Sequence, residues 1–273
     1  MKNLFAISNI AWGRHDDPAV LDLLAEYGIS GIEVAPTKIW PDLTVPTERD
    51  VRRYADFLNE RGFSVPAFQA ILFGCPELQV FNQAMHKAFF ERLEWIARMA
   101  SWMGAKVLVF GAPKNRKRNG LCYAEAFRKA TLFFKEAGKI VGKYSCVLGI
   151  EANPVEYQCD FLTNTADAEM LVQAVDSPEV ALHIDSGATM MTNENIADVI
   201  ENRKIPFVHY HVSEPMLENV ANGSVNHRAA FKALKRIGYH GAISIEMKMK
   251  QPELENLEAA LKTVTGLIND SSF

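Results

Sequence analysis

The sequence predicts an α/β protein built as a single (β/α)8 TIM barrel, and three observations carry that reading. Short apolar, β-branched runs alternate with longer amphipathic stretches from one end of the chain to the other. The alternation repeats eight times within 273 residues, a length that suits a closed barrel. No phosphate-cradling G-x-G-x-x-G or G-K-[ST] loop follows the first run, which argues against an open nucleotide-binding sheet. No linker interrupts the pattern, so residues 1–273 read as one domain.

The strands are expected at 4–12, 31–35, 65–72, 106–112, 146–152, 180–186, 206–213 and 241–247. Helical spacing fills the intervals at 18–27, 47–61, 78–103, 124–143, 166–174, 193–202, 226–237 and 252–268. The third helix displays it well: Phe81, Met85, Phe89, Leu93 and Met99 recur every three to six residues, with Ile96 as an alternative on the same face. Gly28, Gly104 and Gly238 each stand where a helix should stop before the next strand.

Composition narrows the function. Lys and Arg total 29 against 33 Asp and Glu, a net charge of −4, so the chain lacks the positive field that gathers nucleic-acid phosphates. Its apolar runs are strand-sized, well short of a membrane span. The N-terminal run is broken at Ser8 and Asn9, unlike a signal peptide, and a cytoplasmic location is expected. Cys75, Cys122, Cys146 and Cys159 form no C-x-x-C pair and read as reduced packing residues.

In such barrels the active site is assembled where the strands end. The fifth strand ends in Ile150-Glu151-Ala152-Asn153-Pro154 and the sixth in His183-Ile184-Asp185-Ser186. The seventh ends in His209-Tyr210-His211-Val212-Ser213-Glu214 and the eighth in Ile243-Ser244-Ile245-Glu246-Met247-Lys248. Neighbouring strands lie about 4.8 Å apart, so Glu151, Asp185, His211 and Glu246 should converge at one rim. Three carboxylates that close repel one another unless a cation or shared protons compensate. Three oxygen-donor residues and one imidazole suit one divalent ion, Mn, Mg, Co or Zn, with positions left open for substrate.

Other residues are candidates for touching that substrate. His183 and His209 share faces with Asp185 and His211 because strand side chains alternate, although one layer deeper a histidine is more often a hydrogen-bonded core residue. Lys248 follows Glu246 by two positions and could neutralise the cluster or remain solvated. Asn9, Trp12 and Gln69 lie near the ends of the first and third strands. Glu33, inside the short second strand, must reach the pocket or find a buried partner. The loop after the fourth strand contains Lys114, Arg116, Lys117 and Arg118, four basic residues in five positions. At the catalytic rim it would attract a phosphate or carboxylate; elsewhere it would be a solvated charge run.

With these strand ends in order, the chain resembles the xylose isomerase-like TIM barrels, the superfamily of sugar isomerases, 3-epimerases, hydroxypyruvate isomerase, inosose dehydratase and the type IV endonucleases. The resemblance spans essentially the whole chain. It implies that Glu151, Asp185, His211 and Glu246 hold the metal, and that Glu151 and Glu246 also exchange protons with the substrate. The expected activity is therefore a metal-dependent isomerisation or epimerisation of a sugar, sugar phosphate or sugar acid through a metal-stabilised enediolate. A dehydratase acting at the same site and a non-catalytic sugar-binding barrel are the alternatives. The partner is a small polyhydroxy carbonyl compound, anionic if the basic loop binds it; pairing into a homo-oligomer is common for such barrels.

Two departures bear on specificity. The epimerases place a His three residues past the Asp, where this chain has Ala188, and an Arg in the segment that is Pro215-Met216-Leu217 here. The endonucleases require additional metal ligands where Gln69, Gly111 and Ala188 stand, so DNA repair is not expected.

Overall fold

The computed structural model describes residues 3–13 and 17–271. Eight parallel strands form the barrel: β1 (Phe5–Ser8), β2 (Gly31–Glu33), β3 (Ala67–Phe68), β4 (Val107–Phe110), β5 (Val147–Glu151), β6 (Val180–Asp185), β7 (Phe207–Ser213) and β8 (Ala242–Glu246). They pair in the order β2-β1-β8-β7-β6-β5-β4-β3. The seam between β2 and β3 is joined only by the bridges Gly31 to Ser64 and Val34 to Phe68. The expected α/β barrel is thus the architecture found.

The larger helices are α1 (Asp17–Glu26), α3 (Glu48–Asn59), α4 (His86–Trp102), α5 (Tyr123–Gly142), α6 (Thr165–Val175), α8 (Ile196–Asn202), α9 (His227–Arg236) and α10 (Glu253–Ser271). They cover the outside of the sheet, and the core lies between the two layers. Phe110 of β4, for example, packs edge-on against Phe134 of α5, with ring centroids 5.0 Å apart. Gly28, Gly104 and Gly238 all have positive φ, so the helix stops read from sequence rest on left-handed backbone there. Among the described residues no helix is long and apolar enough to cross a membrane.

Several boundaries differ from expectation for local reasons. β1 ends at Ser8, whose side chain accepts from Ile10 N at 3.3 Å and turns Asn9–Ala11 into a 3-10 helix. β3 has only two residues, because Pro66 precedes it without a donor and Ala70 turns the chain at φ 50°. Two short helices escape the periodicity: α2 (Pro36–Ile39) follows β2, and α7 (Ser186–Met191) follows β6. At four to six residues, neither is long enough to display a helical repeat.

One irregularity positions the site. Between β6 and β7 the register shifts, Leu182 pairing with Phe207 and His183 with His209, so that Val208 is the extra residue. Beyond it Asp185 stands opposite His211, on the same face as the two deeper histidines.

Candidate metal centre

Glu151, Asp185, His211 and Glu246 are buried at the carboxyl ends of β5, β6, β7 and β8. One donor atom from each lies within 4.8 Å of the others. His211 Nδ1 is 3.2 Å from Glu246 Oε2 and 3.6 Å from Asp185 Oδ2. The convergence expected from the strand ends is therefore present.

Each donor is held from behind. Asp185 Oδ1 accepts from Ala188 N at 2.6 Å, capping α7, and Oδ2 accepts from the Ser213 hydroxyl at 2.7 Å. His211 Nε2 sits 3.0 Å from both oxygens of Glu33, which fixes the ring and aims Nδ1 at the cluster. Glu151 lies flat against Gly111, where any β-carbon would fall 1.6 Å from its Oε2.

The electrostatics follow from burial and crowding. Burial, then Asp185 and Glu246, push the Glu151 carboxyl up to about 8. Burial also raises Glu246, although His211 beside it pulls the other way. Burial opposes a charge on His211, yet Glu33 and Glu246 outweigh it and hold its pKa well above the usual imidazole value. Glu33 is held well below the carboxylate range, His211 and His209 outweighing its own burial. His183 is kept neutral by burial and by the neighbouring His211 and His209.

Three carboxylates thus share a buried pocket with an imidazole whose pKa Glu33, Glu246 and Asp185 raise. His211 Nδ1 is buried and lacks a well-formed hydrogen bond. An unsatisfied imidazole nitrogen amid three carboxylates is the donor set of a divalent cation, and these residues fit one.

The other expected contacts separate into those near an opening and those that are not. Lys114 is exposed at the mouth of a cavity between the loops after β3 and β4. Asn9 and Trp12 line a second cleft with Trp40 and Tyr54. Even so, Asn9 exchanges hydrogen bonds with the backbone of Ala35, and Trp12 Nε1 donates to Asp17 at 2.7 Å. Gln69 is buried and donates to the Ser8 hydroxyl.

Five of the expected contacts are engaged within the protein. Glu33 takes the second of its two expected options, the buried partners His211 and His209, the latter at 3.2 Å. His209 and His183 lie beneath the carboxylates with their rings 5.4 Å apart, His183 Nε2 being 3.9 Å from Glu151. Lys248 is exposed and pairs with Glu218 at 2.7 Å rather than with the cluster. Arg116 is fully buried. Its guanidinium donates to Asn153 Oδ1 at 2.8 Å and to the carbonyls of Phe161, Phe110 and Leu162. With Arg118 also bonded to Asp160, the basic loop is not a free anion clamp.

Sequence reasoning missed one neighbour of the site. Tyr157 is half-buried above it, its phenol pushed to higher pKa by burial and then Asp185. The same hydroxyl accepts from Met216 N at 3.0 Å, joining the loops after β5 and β7. Met216 and Leu217 have φ of 60° and 56°, two successive left-handed residues where the resemblance leads one to look for an Arg. A tyrosine six positions past Glu151 on the same rim loop was the available signal.

The chain belongs to the xylose isomerase-like TIM barrel family, whose profile matches residues 21–266. Its fold is similar to that of 3-keto-D-glucoside 4-epimerase, YcjR, from E. coli, with a TM-score of 0.78 at 15% identity over 97% of this chain and 99% of that one. It is equally similar to D-psicose 3-epimerase from Clostridium cellulolyticum H10, at 0.78 and 12% identity over 98% of each chain. The IOLI protein, whose structure has a bound zinc atom, gives 0.73 at 18% identity over 98% of each. No curated protein sequence matches the chain. At such identities the likeness is one of fold.

Proposed function

We propose that this chain, acting as one domain, is a divalent-metal-dependent isomerase or epimerase of a small polyhydroxy carbonyl compound. The observation that carries the reading is the set of Glu151, Asp185, Glu246 and the unsatisfied Nδ1 of His211 around one point. A divalent ion held there supplies Lewis-acid polarisation of a carbonyl and of the hydroxyl beside it. Glu151 and Glu246, on β5 and β8, remove and return the proton on the hydroxyl-bearing carbon next to the carbonyl. Asp185 and His211, each locked by its own hydrogen bonds, hold position. The sugar epimerases among the similar folds support this chemistry, and the zinc-bound IOLI protein supports a metal in such a barrel. The four unpaired cysteines favour a reducing compartment, the cytoplasm.

The test uses metal-loaded protein in deuterium oxide with a panel of ketoses and keto-sugars. Deuterium should enter at the carbon next to the carbonyl. Glu151→Gln and Glu246→Gln should each slow that exchange by about 10²-fold or more while the fold persists. Near-normal exchange in both variants sinks the assignment; loss of water from the product transfers it to a lyase.

A further inference from the structure

The loops after β3 and β4 line a partly open cavity of about 370 Å³ that shares a wall with the carboxylate cluster. That wall is Gly111, against which Glu151 Oε2 rests. Ile71, Leu72, Phe73, Val109, Ala112 and Pro113 supply half of the remaining lining residues. The polar side chains are few. Asn115 already donates to the carbonyls of Cys75 and Leu78 at 2.7 and 2.8 Å, leaving the Cys75 thiol and the Lys114 ammonium.

Phe73 stands at the loop tip and is 70% exposed, on a turn with Ala70 at φ 50° and Gly74 at φ 81°. Val155, Met216 and Met249, on the loops after β5, β7 and β8, are exposed at the same end of the barrel. An apolar side chain this open, beside an apolar cavity, has surface to lose on binding. Sugar hydroxyls would meet few side-chain donors or acceptors there, whereas an apolar group would cover the larger, apolar share of the lining. A cavity of about 150 Å³ with apolar walls is enough for benzene, so this one accommodates a ring with room for a linker.

We infer that the substrate carries an apolar substituent, of the size of a phenyl ring, that enters this cavity while its polyhydroxy carbonyl part faces Glu151. This rests on reading the carboxylate cluster as a sugar-enolising centre. It assigns the residues that choose the substrate, Phe73 and Ala112 foremost, to loops that supply no metal donor.

The test measures binding and needs no turnover. Benzyl alcohol alone, followed by saturation-transfer NMR on the Mg²⁺-loaded chain, should bind. Ala112→Trp, which fills the cavity, should weaken it at least tenfold, and the surface change Phe73→Ala about threefold. Asp185→Ala should leave it unchanged, because the cavity does not depend on the ion. By calorimetry, phenyl β-D-glucopyranoside should bind about tenfold tighter than the methyl glucoside, a preference lost in Ala112→Trp. No binding of benzyl alcohol, binding insensitive to both loop variants, or equal affinity for the two glucosides overturns the inference. Failure of the enolising reading would show instead in metal content and proton exchange, which these titrations do not use.

Discussion

Glu33 and His211 lie 178 positions apart in sequence, yet His211 Nε2 sits 3.0 Å from both oxygens of the Glu33 carboxylate. The pair crosses the barrel interior from β2 to β7 and leaves Nδ1 of the ring facing Asp185 and Glu246. A carboxylate behind a metal-binding histidine fixes its tautomer and strengthens its donor nitrogen.

Replacing that carboxylate tests the arrangement. Glu33→Gln should weaken divalent-ion affinity by about 10–100-fold in competition titrations, although Glu33 is not one of the four donors around Glu151. An unchanged affinity would show that the ring is held by packing alone.

Stability should depend on pH in a direction set by the same cluster. Without metal, folded Glu151 keeps its proton to about 8, whereas in the unfolded chain it loses it near the ordinary carboxylate value. The folded state then binds more protons, so stability falls as pH rises through that window. His211, raised by Glu33 and Glu246 against its burial, adds stability below its unfolded value that disappears as pH passes its folded one. Glu33, lowered, contributes stability above its unfolded value that persists through the same range. Thermal unfolding of the metal-free protein should therefore move to lower temperature between about pH 6 and pH 9, and Mn²⁺ should flatten the slope. A melting temperature that rises over this range contradicts the assignment.

Gly111→Ala is a small change with a specific expected result. Gly111 has no positive φ, so an alanine backbone fits, but its β-carbon would collide with the Glu151 carboxylate. Ion affinity should fall about tenfold or more while circular dichroism and gel filtration remain those of the native protein. Retention of full affinity would mean that Glu151 can donate from another rotamer.

Arg116→Met should act on stability rather than on anion binding. It strands Asn153 Oδ1 and the Phe161 carbonyl in a buried site, at a cost of about 3 kcal/mol. The melting temperature should drop by about 6–12 °C. Loss of sugar-phosphate affinity with no loss of stability would restore the clamp that the basic run suggested.

The donors were legible in sequence because each stands at the end of an apolar strand, a position that hydropathy marks directly. Glu33 was legible only as a problem, a carboxylate in a strand, since its partners arrive from β7. Arg116 looked solvated for a comparable reason: the acceptors that bury it belong to Asn153, Phe161 and Leu162, after the next strand. α2 and α7 left no periodic trace because each is shorter than two helical turns. Local pattern reveals what a residue's own element demands. It is silent on obligations met across the barrel.

All four donors come from consecutive strands, β5 through β8, in the second half of the chain, whereas the cavity beside Glu151 is built by loops from the first half. That partition separates two hereditary tasks. Residues of the loops after β3 and β4 other than Gly111 can change the cavity lining without replacing any of the four donors. Glu33 and Gly111 are first-half residues that press directly on the donors of the second, so drift at either position reaches the carboxylate cluster itself.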